Sequence, residues 1–226
     1  MRRGFRLGCL WLLLAAAPGL PGHPQEAPRS APFPRLRPFL DEGRPSLRLV
    51  GSAVRSRNGI PFYTLAYYVN LAELRTALGA APPTVAEAAR VLAAGRVSQG
   101  FLTRFDQGVG KERRVEFLLE NLGIFWPGPG FRKDSPSLQA FLPFFDTPLE
   151  RGEETRIWIR NGSIYTQKPG QRAVRTADPD LCRAFVNSYL GDLKKPGADR
   201  IMREDLLGDL AEALAETRPQ GRSSTR

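Results

Sequence analysis

From Leu47 to Asn70 the chain reads LRLVGSAVRSRNGIPFYTLAYYVN, two strands meeting at Arg57-Asn58-Gly59. The second arm, Ile60 to Val69, is dense in the aromatic and β-branched residues that strands favour. Both of its faces are largely apolar, with Ile60, Phe62 and Tyr68 on one and Tyr63, Leu65 and Val69 on the other. A strand apolar on both faces calls for cover on both sides. Arg55 stands opposite this arm, and the turn length decides its neighbour, because strand side chains alternate with period two. A two-residue Asn58-Gly59 turn pairs Arg55 with Phe62 and puts it on the face of Thr64. A three-residue loop, with Gly59 in the left-handed bulge position, pairs it with Pro61 and brings Tyr63 onto its face.

Beyond Val69 the apolar spacing becomes helical. Asn70 caps a first helix with Glu73 in its first turn, Leu71, Leu74 and Leu78 on one face and Gly79 as its stop. Thr84 and Glu87 form a capping box ahead of Val85, Ala88, Ala89 and Leu92, and Gly95 ends that helix. Arg96 to Asp106 returns to strand composition. A longer helix, from Lys111 to Leu122, carries Val115, Leu118, Leu119 and Leu122 on one side. After the Trp126–Gly130 loop, Ser135-Pro136 opens a short helix with Leu138, Phe141 and Leu142. TRIWIRNGSIYTQ then reads as a hairpin on Asn161-Gly162, the favoured type I′ pair. A two-residue turn there sets Ile159 against Ile164 and Trp158 against Tyr165. Asp178-Pro179 starts a helix with Leu181, Phe185 and Tyr189 inward and Gly191 at its end. Arg203 to Thr217 is the last helix, apolar at Leu206, Leu207, Leu210 and Leu214. Hairpins with helices between and after them make the class α+β with an antiparallel sheet.

The flanks of this 47–217 domain differ in composition. Residues 1–22 join a basic start, MRRGFR, to the short apolar run LGCLWLLLAAA and a Pro/Gly-rich end. That is the pattern of a secretory signal peptide, and its run is too short for a stable membrane span. Export, to the periplasm or the exterior, is the matching expectation. Residues 23–46 are Pro-rich and read as an extended tether, and 218–226 as a polar tail.

Two cysteines and one histidine narrow the chemistry. Cys9 belongs to the leader, so Cys182 has no intramolecular disulfide partner, and His23 sits beside the cleavage zone. These counts exclude a Ser-His-Asp triad, a Cys-His dyad and a zinc site of the usual His and Cys ligands. No metal and no cofactor are expected. The net charge of +10 includes Arg2, Arg3 and Arg6 of the leader. The remaining arginines are scattered without a basic run, so nucleic acid is not an expected partner.

In their order, GSAVRSRNGIPFYTLAYYVN, FLTRFDQGV, ERGEETRIWIRNGSIYTQ, CRAFVNSYLGD and LLGDL resemble the chalcone isomerase-like superfamily, most closely its bacterial exported branch. The likeness spans Leu47 to Leu210. It implies an open-faced sandwich, a curved antiparallel sheet with a layer of helices on one side and a ligand cleft between the layers. Plant enzymes of that superfamily cyclise a chalcone to a flavanone with an Arg on the first strand, a Thr on the second, and a Tyr and Asn on a following helix. Arg55 matches the first position and Asn121 the last, which makes them the candidate catalytic pair. Aligning the strand end on Tyr68-Val69-Asn70 puts Tyr63 at the Thr position; a one-residue gap would put Thr64 there. The helix Tyr falls near Arg114 and is missing.

An Arg followed by Tyr resembles instead the non-catalytic fatty-acid-binding branch, where the pair holds a carboxylate. The first expectation is therefore a binding protein for a small hydrophobic carboxylate, with Arg55, Tyr63, Thr64 and Tyr68 as candidate ligand-binding residues. A guanidinium makes charge-assisted bonds to a carboxylate, and a phenol adds a neutral donor. The alternatives are an isomerase, an intramolecular lyase acting on a phenolic enone, and a structural or partner-binding exported domain with Arg55 solvated at the sheet rim.

Overall fold

The computed structural model describes residues 33–34, 36–37, 47–57, 60–79, 83–192, 194–195 and 200–216. The leader expected over 1–22, the Asn58-Gly59 turn and the tail lie outside them.

Among the described residues, seven strands form one antiparallel sheet whose spatial order follows the chain: β1 (Leu36–Arg37), β2 (Leu47–Arg57), β3 (Ile60–Val69), β4 (Gln99–Phe105), β5 (Glu154–Arg160), β6 (Ser163–Gln167) and β7 (Val174–Ala177). Helices α1 (Leu71–Leu78) and α2 (Val85–Ala93) separate β3 from β4. Helices α3 (Lys111–Phe125) and α4 (Pro136–Phe141) separate β4 from β5. Helices α5 (Pro179–Leu190), α6 (Arg200–Leu206) and α7 (Leu210–Glu216) follow β7. The architecture is the expected α+β open-faced sandwich. No helix among the described residues is long and apolar enough to cross a membrane.

Local chemistry explains where these elements begin. The Asn70 side chain accepts from the amides of Ala72 and Glu73, and Thr84 and Glu87 close a full capping box. Asp178 caps α5 through the amides of Asp180 and Leu181, ahead of Pro179 in the first turn. Asn161 and Gly162 take the positive φ angles, 49° and 67°, that a type I′ turn requires. The ladder they set pairs Ile159 with Ile164 and Trp158 with Tyr165, whose rings stack at 5.3 Å and 3°.

The two faces of the sheet bury different cores. The inner face, with Leu65, Tyr67, Val69, Phe101, Ile157, Ile159 and Ile164, packs against residues of every helix in the large core. The outer face gathers Leu47, Ala66, Tyr68, Leu102 and Trp158 into a smaller one, partly covered by Phe33. There the Tyr68 hydroxyl donates to the Pro34 carbonyl at 3.2 Å, and the Arg104 guanidinium lies 4.9 Å from the Phe33 ring. The segment expected to be a bare tether thus supplies both an edge strand and cover for an apolar patch.

Two further expectations change. The last helix is two, because the chain breaks at Leu207–Asp209, where Gly208 weakens the helix and the Asp209 amide donates to the Val50 carbonyl at 2.9 Å. The C-terminal end of α6 lies so close to β2 that a Cβ at Gly51 would sit 2.3 Å from the Asp205 carbonyl oxygen. The β2–β3 register also follows neither alternative. Arg57 pairs with Ile60 and Ser56 with Pro61, but Arg55 pairs with Tyr63, so Phe62 is an extra residue bulged out of the ladder. Its carbonyl accepts from the Asp106 amide at 3.0 Å.

Candidate functional site

The bulge decides what faces the helices. With Arg55 opposite Tyr63, and Tyr63 in turn opposite Phe105, one cross-strand row runs over β2, β3 and β4 on the inner face. The Tyr63 and Phe105 rings meet at 5.8 Å and 55°. This row floors a cavity of about 470 Å³ between the sheet and the helices, in the range of small-molecule sites. Thr103, Thr155 and Ile157 continue the floor; Arg114, Leu118 and Asn121 of α3 with Phe185 and Tyr189 of α5 form the roof. Met202 of α6 also reaches it.

Beneath the cavity the aromatic core is closed. Phe101 stacks on Tyr67 at 4.9 Å and on Tyr189 at 5.0 Å, with Phe185 edge-on at 5.5 Å. The Tyr67 hydroxyl donates to the Gln99 side chain at 2.6 Å, and the Gln99 amide donates to the carbonyls of Leu92 and Val97. Burial pushes the Tyr67 phenol well above its usual range, so it stays a neutral donor.

Tyr189 faces the same end of the cavity as the Arg55–Tyr63 pair. Burial pushes its phenol up, Tyr63 adds to the rise, and Arg55 opposes it. It is neutral across the physiological range. The Arg55 guanidinium and the phenols of Tyr63 and Tyr189 line this cavity. All can donate to an anion.

A second guanidinium enters from α3. Arg114 is 8% exposed and lies over the rings of Phe145 at 5.3 Å and Phe105 at 5.8 Å. It donates to the Thr147 carbonyl at 2.5 Å. Burial lowers its pKa to about 10 while nearby Glu153 opposes the shift, so it is charged at neutral pH. The sequence reading left it out of the site. Its signal was positional, since Arg114 begins the row that continues through Leu118 and Leu122, the buried stripe of α3.

The candidate residues separate by face. Arg55, Tyr63 and Asn121 line the cavity. The Asn121 amide donates to the Phe117 carbonyl of its own helix at 2.7 Å. Thr64 and Tyr68 do not line it: the alternation that turns Tyr63 inward turns both of them outward. Thr64 donates to the Asp106 carboxylate at 3.2 Å, and Tyr68 belongs to the outer core. Cys182 is buried, and burial with Asp178 nearby pushes its thiol up to about 12, so it behaves as a small apolar residue. Among the described residues no group of His, Cys, Asp and Glu is arranged to hold a metal ion.

Among solved structures, the chain is similar to a fatty-acid binding protein of Arabidopsis thaliana, with a TM-score of 0.63 and 21% identity over 81% of this chain and 94% of that one. This chain has the chalcone isomerase-like fold. No family model matches it, and no curated protein matches it in sequence. Within that fold the cavity lies between sheet and helix layer, as the resemblance implied. Arg55 and Asn121 line it, and Tyr63 rather than Thr64 stands beside Arg55.

Proposed function

We propose that the protein binds a small hydrophobic carboxylate, such as a fatty acid, in this cavity. The observation that carries the reading is the Arg55–Tyr63 cross-strand pair on the inner face, at a cavity otherwise walled mainly by apolar side chains. The carboxylate sits on Arg55 and the phenols of Tyr63 and Tyr189; charge-assisted hydrogen bonds are the strong ones, more so with water excluded. The chain lies over Phe105, Leu118, Ile157 and Phe185. Each methylene buried there adds about 0.8 kcal/mol, close to fourfold in affinity. The fatty-acid binding of the Arabidopsis neighbour supports the same class of ligand. The leader-like residues 1–22 make this an exported carrier, in the bacterial branch of the superfamily.

Cyclisation of a phenolic enone is the second reading, favoured by Asn121 and Arg55 lining the same cavity. Thr64 on the far face and Arg114 near the helix Tyr position weigh against it.

Native mass spectrometry of protein purified without detergent, followed by solvent extraction, tests the carrier reading. Wild type should carry or take up a fatty acid, and Arg55→Ala should lose it. Equal loading of the two proteins, or no uptake of dodecanoate by wild type, would overturn it.

A further inference from the structure

Arg114 is a cation at the cavity with donors to spare. A guanidinium has five N–H groups. At 8% exposure Arg114 makes one hydrogen bond to protein among the described residues, to the Thr147 carbonyl, and no ion pair. The flat faces of Phe145 and Phe105 stabilise its charge without using those donors. Lys168 crowds the same spot, since its ammonium donates to the Thr147 hydroxyl. Burial and the nearby Arg114 hold the Lys168 pKa below its usual value, and Glu153 opposes the shift at both cations. The exposed Arg113 at the cavity pairs with Glu116 of its own helix at 3.4 Å, and Glu120 is exposed. The remaining donors of Arg114 are not sealed in protein but open onto the cavity, where an anion can complete them.

The two guanidiniums lie on one row. Arg55 is opposite Tyr63, Tyr63 is opposite Phe105, and Arg114 lies over Phe105. Neighbouring strands are about 4.8 Å apart, so the row from Arg55 to the strand beneath Arg114 spans roughly 10 Å. Both cations line the same cavity.

Resting on the carboxylate-binding reading, we infer that the natural ligand carries two negative charges at one end of its apolar chain, with Arg55 and Tyr63 taking one and Arg114 the other. A phosphate monoester or a vicinal dicarboxylate has that chemistry; a simple fatty acid leaves Arg114 unmatched.

Titration calorimetry on delipidated protein at pH 8 tests this with dodecanoate, dodecyl phosphate and dodecylsuccinate. Wild type should bind at least one dianion about tenfold or more tighter than dodecanoate. Arg114→Met should abolish that advantage, and Arg114→Lys should restore part of it. The tighter dianion tells a phosphate from a dicarboxylate. A test without any variant uses the second phosphate proton, which leaves near pH 6: wild-type preference for dodecyl phosphate over dodecanoate should shrink about threefold from pH 8 to pH 5.5. Dodecanoate binding with no dianion preference, or a preference that survives in Arg114→Met, would overturn this inference and leave the carrier reading intact. Dianion binding without dodecanoate binding would support it and correct the carrier's head group. Binding of none of the three would overturn both.

Discussion

Two hairpins of this protein carry the same Asn-Gly dipeptide and the same two-residue closure, yet only one keeps a regular ladder. In β5–β6 every pair from Arg160–Ser163 to Arg156–Gln167 follows from the turn, and the result is scaffold: a stacked Trp158–Tyr165 pair on the outer face. In β2–β3 the pairing from Arg57–Ile60 is interrupted at Phe62, and the result is a site. The closing turn would set one phase, the buried body of the strands needs the other, and a bulge reconciles them. Where the ladder departs from what its turn dictates, the departure aims Arg55 and Tyr63 at the cavity.

Mutations that act on one hairpin and spare the other put this contrast to the test. The largest effect is expected on the regular side. Trp158→Ala removes the biggest side chain of the outer core and should cost about 3–5 kcal/mol of stability in urea denaturation. Arg55→Ala should move the same measurement by less than about 1 kcal/mol while abolishing ligand retention, since half-buried surface groups contribute little to folding. Equal destabilisation by both would dissolve the distinction. Next in size is Tyr63→Phe, which deletes one hydroxyl from the anion site. It should weaken dodecanoate by about 1 kcal/mol, near fivefold, with an unchanged denaturation midpoint. The smallest effect concerns a charge. Burial disfavours the cationic form of Arg114, whose folded pKa of about 10 lies below the usual arginine range. The penalty is therefore fully present at neutral pH and relieved only as pH rises past that value. Arg114→Met removes it, so ligand-free protein should be unchanged or up to about 1 kcal/mol more stable at pH 7.

Much of this fold is legible in single residues. Asn161-Gly162 announces its own register, and Asn70, Thr84 with Glu87, and Asp178 mark helix starts by chemistry that acts over three or four residues. What escaped is decided at longer range. Nothing local to Phe62 calls for a bulge; the need arises because the whole face from Leu65 to Val69 must meet the helices. The break at Leu207–Asp209 likewise depends on Val50, far away in the chain. Arg114 sat in plain view at the head of the α3 stripe, but a charge on an apolar stripe reads as a helix end until a cavity is found beside it.

Strand order that follows chain order has a kinetic side. The turn that joins β5 to β6 closes over two residues, whereas Val69 meets Gln99 only after the α1–α2 excursion, and β4 meets β5 only after α3 and α4. Each doubling of the closed loop costs roughly 0.6 kcal/mol of chain entropy, and pairings distant in sequence slow folding. The outer aromatic hairpin can nucleate by itself. The row Arg55–Tyr63–Phe105 spans one of the long closures, so ligand capacity is expected to emerge after the scaffold in refolding, with added ligand accelerating only the final phase.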